Sequence, residues 1–151
     1  MKVESTSPEE TMGLGRRVGA ACPPGTLLAL VGDLGAGKTR FVKGVAAGLG
    51  IAEDAVTSPT FVLMNLHPGR LRLAHFDLYR LESVDLPSLG FYDVREDGVV
   101  VMEWADKVDE NLLGDHVRVE FAFTGETSRR LIFHARGERS EKLLRDLNLT
   151  P

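Results

Sequence analysis

A chain of 151 residues, 43% hydrophobic and 26% charged, has the composition of one ordinary globular domain, large enough to bury a core and too small to house two. Its formal net charge of −4 excludes a strongly basic nucleic-acid binder, and no apolar run approaches the roughly 20 residues that cross a bilayer, so neither DNA nor a membrane is an expected partner. The single cysteine, Cys22, rules out an intrachain disulfide, and the first residues carry no apolar leader, which makes the cytoplasm the expected location.

The first predicted helix covers 8–22, with Ser7 as N-cap and Pro8 at the first helical position. Pro23-Pro24-Gly25 ends it and leads into a strand over 26–31, whose Leu28-Ala29-Leu30-Val31 is apolar enough to be buried. Next comes Gly32-Asp33-Leu34-Gly35-Ala36-Gly37-Lys38-Thr39, which spells G-x-x-x-x-G-K-T. Behind it, 40–49 places Phe41, Val42, Val45, Ala46 and Leu49 at helical spacing, and Gly48-Leu49-Gly50 stops the helix. Strand, glycine-rich turn and helix start, in that order, predict a phosphate-binding loop. Gly32, Gly35 and Gly37 let successive backbone N–H groups point at an anion, and the helix N-terminus adds partial positive charge. Lys38 reaches β- and γ-phosphate oxygens, and the Thr39 hydroxyl can ligate magnesium. Asp33, Leu34, Gly35, Ala36, Gly37, Lys38, Thr39 and the following Arg40 are the candidate nucleotide-binding residues.

A connector over 51–59 ends in Thr57-Ser58-Pro59-Thr60. Two strands, 61–66 and 71–76, flank His67-Pro68-Gly69-Arg70, whose central Pro-Gly predicts a type II turn and an antiparallel hairpin. The polar stretch 81–93 holds a short helix around 87–89, and Val99-Val100-Val101-Met102 predicts a strand buried on both faces. Strands 117–123 and 130–135 follow around the turn Thr124-Gly125-Glu126-Thr127, and an amphipathic helix over 138–147 closes the chain. The expected architecture is a single α/β domain over 1–151, a P-loop NTPase-like three-layer fold. Its mixed sheet is parallel in the centre and antiparallel at the margins, with helices on both faces.

Hydrolysis needs magnesium ligands and a group to position water. Glu103 ends the apolar run 99–102, which puts a carboxylate at the C-terminal edge of a central strand, and Asp77 ends the preceding strand in the same way. Either can hold magnesium through its water shell or act as general base on the attacking water. Ser58 and Thr60 lie where nucleotide switches bring a hydroxyl to the metal or the γ-phosphate, and Trp104, the only tryptophan, follows Glu103 directly. Other features read as structural. His67, His75, His116 and His134 have no metal-ligand spacing, and Gly13-Leu14-Gly15 lacks the preceding strand of a dinucleotide fingerprint. Gly44 and Gly48 let the loop's helix pack closely on a neighbour.

The phosphate loop is followed by Ser58-Pro59-Thr60-Phe61, then His75-Phe76-Asp77-Leu78-Tyr79-Arg80-Leu81, then Glu103-Trp104 after an apolar strand. This series resembles the TsaE (YjeE) family, the P-loop ATPases of bacterial tRNA threonylcarbamoyladenosine biosynthesis, over nearly the whole chain. The resemblance implies ATP/ADP and Mg2+ as ligands and hydrolysis that is weak in the isolated protein. It implies work with the TsaB–TsaD pair, which transfers a threonylcarbamoyl group to the adenosine beside the anticodon, so that tRNA is met indirectly through that pair. It further implies that Lys38 and Thr39 bind phosphates and magnesium, that Glu103 is a magnesium ligand, and that Asp77 sits in the catalytic centre with Trp104 beside it. Ser58 and Thr60 would form a switch-like loop, the segment 6–9 ending in Glu9 would contact the base, and Arg129 or Arg130 would approach the nucleotide.

A small-molecule kinase is the alternative enzyme, but Arg136 and Arg139, which could serve as lid arginines, lie near the last helix with no long insertion to form a lid. A GTPase needs Asn-Lys-x-Asp, whereas Asp106-Lys107-Val108-Asp109 begins with Asp and follows Glu103 too closely. A nucleotide-dependent binding module, with incidental hydrolysis, is the alternative from another class.

Overall fold

The two uninterrupted apolar runs of the chain lie side by side at the centre of a seven-stranded sheet. In the computed structural model, which describes residues 1–33, 35–56 and 63–149, β1 (Lys2–Ser5), β2 (Thr26–Val31), β3 (Met64–His67), β4 (Leu73–Asp77), β5 (Val99–Glu103), β6 (His116–Phe123) and β7 (Arg129–Arg136) take the order β1-β7-β6-β2-β5-β4-β3. The pairs β6–β2, β2–β5 and β5–β4 are parallel, while β7 with β1 on one side and β3 on the other are antiparallel. Strands covered on both faces carry apolar residues at every position, and all of β5, from Val99 to Glu103, is buried.

The two faces are covered unequally. The long helices α1 (Pro8–Ala21), α2 (Lys38–Gly48) and α4 (Glu138–Leu147) all pack on one face, where Phe41, Val45, Leu143 and Leu147 meet Leu28, Leu30, Val101, Val119 and Phe133. The other face is closed by α3 (Phe91–Val94) and short 3-10 turns, which bring Leu86, Phe91, Val94 and Ala105 onto Ala29, Phe76, Val100 and Met102.

Four glycines set how closely α2 approaches α1. A Cβ at Gly15 would lie 2.3 Å from the Phe41 carbonyl oxygen, and one at Gly19 2.2 Å from that of Val45. From the other side, one at Gly44 would lie 2.1 Å from the Met12 oxygen and one at Gly48 2.3 Å from that of Arg16. Gly15 is thus a helix-packing residue, and α2 is held rigidly behind the loop that opens it.

Two local expectations are corrected. Strand β1 was not anticipated: it is four residues long, turns only Val3 and Ser5 inward, and gains its place by pairing with β7. The hairpin does form, but Gly69 is not among the described glycines with positive φ, so its connection is not a type II turn. The connection is shaped instead by docking on the end of α2: the Arg70 N–H donates to the Leu49 oxygen at 2.7 Å, and a Cβ at Gly69 would approach that oxygen to 2.6 Å. The expected strand 61–66 begins at Met64 among the described residues.

Candidate active site

The loop after β2 has the backbone its glycines predict. Gly32, Gly35 and Gly37 adopt φ of 152°, 79° and 102°, and a Cβ at Gly32 would come within 2.8 Å of the Phe121 oxygen. Gly37 is the N-cap of α2 and offers no side-chain acceptor, so the N–H groups of the first turn have no capping partner from it. That leaves the helix N-terminus open to an anion. Asp33, Thr39 and Arg40 are exposed, Ala36 is buried, and Leu34 lies outside the described residues.

Lys38 lies under a lid of aromatic surface. Its ammonium donates to the Gly32 carbonyl and sits 3.6 Å from the centroid of the Trp104 ring, which faces Tyr79 at 5.0 Å. Burial pushes the Lys38 pKa down, and the carboxylates of Glu103, Asp106, Asp77 and Asp33 oppose that shift. Trp104 holds this position with φ 60° and ψ 39°, a left-handed backbone uncommon for a non-glycine residue and typical of functional sites.

Parallel pairing brings the two acids together. Asp77 and Glu103 are register partners at the C-terminal ends of β4 and β5, the edge where α/β sheets carry ligands. Glu103 is 4% exposed, and one of its oxygens lies 2.5 Å from Nε2 of the equally buried His75. Asp77 accepts a hydrogen bond from the Tyr79 N–H at 3.0 Å. Burial is the main reason that its pKa is raised, with the charge of Glu103 adding to the effect and the Tyr79 N–H opposing it. Lys38, Thr39, Asp77, Glu103, Trp104 and Tyr79 line one cavity of about 260 Å3 together with Gly35, Gly37 and Arg40.

A second cavity, about 190 Å3, lies on the other side of the loop between the start of α1 and the β6–β7 turn. Pro8, Thr11, Thr127 and Arg129 line it together with Gly35, Gly37 and Arg40; Glu9, exposed in the first turn of α1, does not. The choice between the two arginines is geometric. Arg129 donates to the Gly35 oxygen at 3.3 Å and stacks over Phe123 at 4.3 Å, whereas Arg130 turns to Glu4 of the edge strand at 2.6 Å. Arg136 and Arg139 sit at the opposite end of the sheet, where Arg136 pairs with Glu110 at 3.0 Å and the Arg139 N–H donates to Asp115. They are not lid residues over this loop. Ser58 and Thr60 lie outside the described residues.

Sequence reasoning missed Tyr79, Thr11, Thr127 and the pairing of His75 with Glu103, whereas Pro8 falls within the expected base-contacting segment 6–9. Tyr79 follows Asp77 by two residues in an unusual aromatic run, a signal that was available. The others depend on which strands become neighbours.

The site's donors are oxygens, and the described residues contain no group of three or more His, Cys, Asp or Glu side chains able to hold a metal. One or two carboxylates and a hydroxyl suit magnesium, which keeps several waters and shares substrate phosphates, rather than a zinc-like cage.

Comparison with known proteins bears on the family and the fold. The sequence profile of the family described as "Threonylcarbamoyl adenosine biosynthesis protein TsaE" matches residues 5–132. The chain is 38% identical over 150 residues to the tRNA threonylcarbamoyladenosine biosynthesis protein TsaE of Bacillus subtilis, covering 98% of this chain and 94% of that protein. It is 42% identical over 118 residues to the protein of the same name from Treponema pallidum, covering 74% and 84%. The crystal structure of Bacillus subtilis YdiB superposes with a TM-score of 0.81 at 35% identity, covering 97% of this chain and 93% of that one.

Proposed function

This chain belongs to the TsaE family, and on that premise we propose that it is the Mg2+-dependent ATPase of a tRNA threonylcarbamoyladenosine biosynthesis system. It acts with a TsaB–TsaD pair, supports threonylcarbamoyl transfer to the adenosine next to the anticodon, and meets tRNA through that pair. The observation that carries the ATPase reading is the convergence of Lys38, Asp77 and Glu103 on one cavity at the mouth of a glycine-rich loop.

The phosphates rest on the open N-terminus of α2, and Lys38 exchanges the Gly32 carbonyl for phosphate oxygens. Thr39 and Glu103 would hold Mg2+, which would supply positive charge to offset that of the phosphates. Asp77 orients the attacking water and takes its proton as the water oxygen bonds to the γ-phosphorus and the bond to the bridging oxygen breaks. A carboxylate whose pKa is raised by burial is a stronger base than an exposed one. Arg129 lies beside Gly35 and Gly37, close enough to the loop to meet a nucleotide phosphate or ribose, and the second cavity takes the base.

Lys38→Ala tests the assignment. Its affinity for Mg-ATP, measured by calorimetry, is expected to fall by about 10-fold or more, the loss of one charge-assisted contact. Wild-type affinity in the variant would overturn the phosphate-loop reading.

A further inference from the structure

We infer that His75 is a positioning residue: its imidazole fixes the Glu103 carboxylate so that one oxygen is tied back and the other is left for the magnesium ion of the nucleotide. This rests on the reading of Glu103 given above.

His75 and Glu103 are 28 residues apart, yet the parallel register of β4 and β5, which sets His75 opposite Val101 and Asp77 opposite Glu103, puts both side chains on the α2 face of the sheet. His75 is 1% exposed, and its neighbour on the same face of β4 is Leu73, a core residue. A leucine would fill that position without burying a polar atom, whereas the imidazole leaves Nδ1 with no partner. Its polar contact goes to Glu103, Nε2 to Oε2 at 2.5 Å. The acceptor is a carboxylate, so Nε2 carries the proton and donates. With Oε2 engaged, one carboxylate oxygen remains, and Glu103 lines the cavity beside Thr39 and Asp77. A carboxylate ligand held from behind by a hydrogen-bond donor is the general means by which proteins orient a metal ligand.

The test measures ATP affinity twice for each variant, with Mg2+ and with EDTA, so the readout is the gain in affinity that magnesium supplies and not turnover. His75→Leu is expected to lose about 10-fold or more of that gain while its affinity in EDTA stays unchanged, matching Glu103→Gln. His75→Gln, whose amide nitrogen reaches about as far as Nε2, is expected to recover most of the gain, and His75→Asn, one methylene shorter, is not. A full magnesium gain in His75→Leu, with the gain lost in Glu103→Gln, would overturn the inference and leave the nucleotide reading intact. If His75→Leu does not fold, equal gains in the Gln and Asn variants overturn it. A wild-type protein that binds ATP with no magnesium gain would remove Glu103 as a metal ligand and the inference with it; one that binds no ATP would remove the proposed function itself.

Discussion

Asp77 illustrates what burying a carboxylate costs in stability. Burial raises its carboxyl pKa, so at neutral pH the folded protein carries an ionised group it disfavours. A raised acid pKa gives stability that is present below the unfolded value, about 3.9, and lost as pH rises through the folded one. Asp77→Asn keeps an oxygen for the Tyr79 N–H and removes the charge. Its melting temperature at pH 7 is therefore expected to exceed wild type by on the order of 2 °C, with the gain vanishing below about pH 4. A lower melting temperature at pH 7 would contradict the burial argument. At this scale the loop glycines, Lys38, Asp77 and Glu103 were legible in the sequence because their signals are local: a fixed motif, or an acid closing an apolar run. The pairing of Glu103 with His75 was not, because it depends on β4 and β5 being parallel neighbours, which no short spacing encodes. Glu9 and Thr11 differ by half a helical turn, too fine a distinction to read before the start of α1 is docked.

Between elements, the α1–α2 crossing ties the phosphate loop to the core. Gly19→Ala would drive a methyl into the Val45 backbone oxygen, 2.2 Å away, and backbone cannot yield as a flexible side chain does. The expected cost is on the order of 2 kcal/mol, read as a fall in melting temperature of roughly 4–8 °C. Because α2 begins at Lys38, the same displacement is expected to weaken Mg-ATP binding although Gly19 touches no ligand. An unchanged melting temperature would show that the helices separate freely. The start of α1 and the span of α4 were well marked in the sequence: Ser7 caps α1 as expected, its side chain accepting from the Glu10 N–H, and α4 covers the expected residues, whereas α3 was not expected. Elements formed by tertiary pairing were the ones lost. Strand β1 holds two inward residues and exists through β7, and the 68–72 connection takes its shape from the end of α2.

Across the whole molecule, the sheet sets all the long helices on one face and leaves the other to short turns, while the candidate site opens at the C-terminal edge of the parallel strands between them. Among the described residues no helix is long and apolar enough to cross a membrane. Under the proposed function, tRNA is met through the TsaB–TsaD pair. The most direct measurement of the central claim is ATP hydrolysis by the pure chain with and without the TsaB–TsaD pair, with Asp77→Ala as control. The pair is expected to stimulate hydrolysis, and Asp77→Ala to remove about 100-fold or more of the stimulated rate. No stimulation and no complex with the pair, or full stimulation in Asp77→Ala, would contradict it.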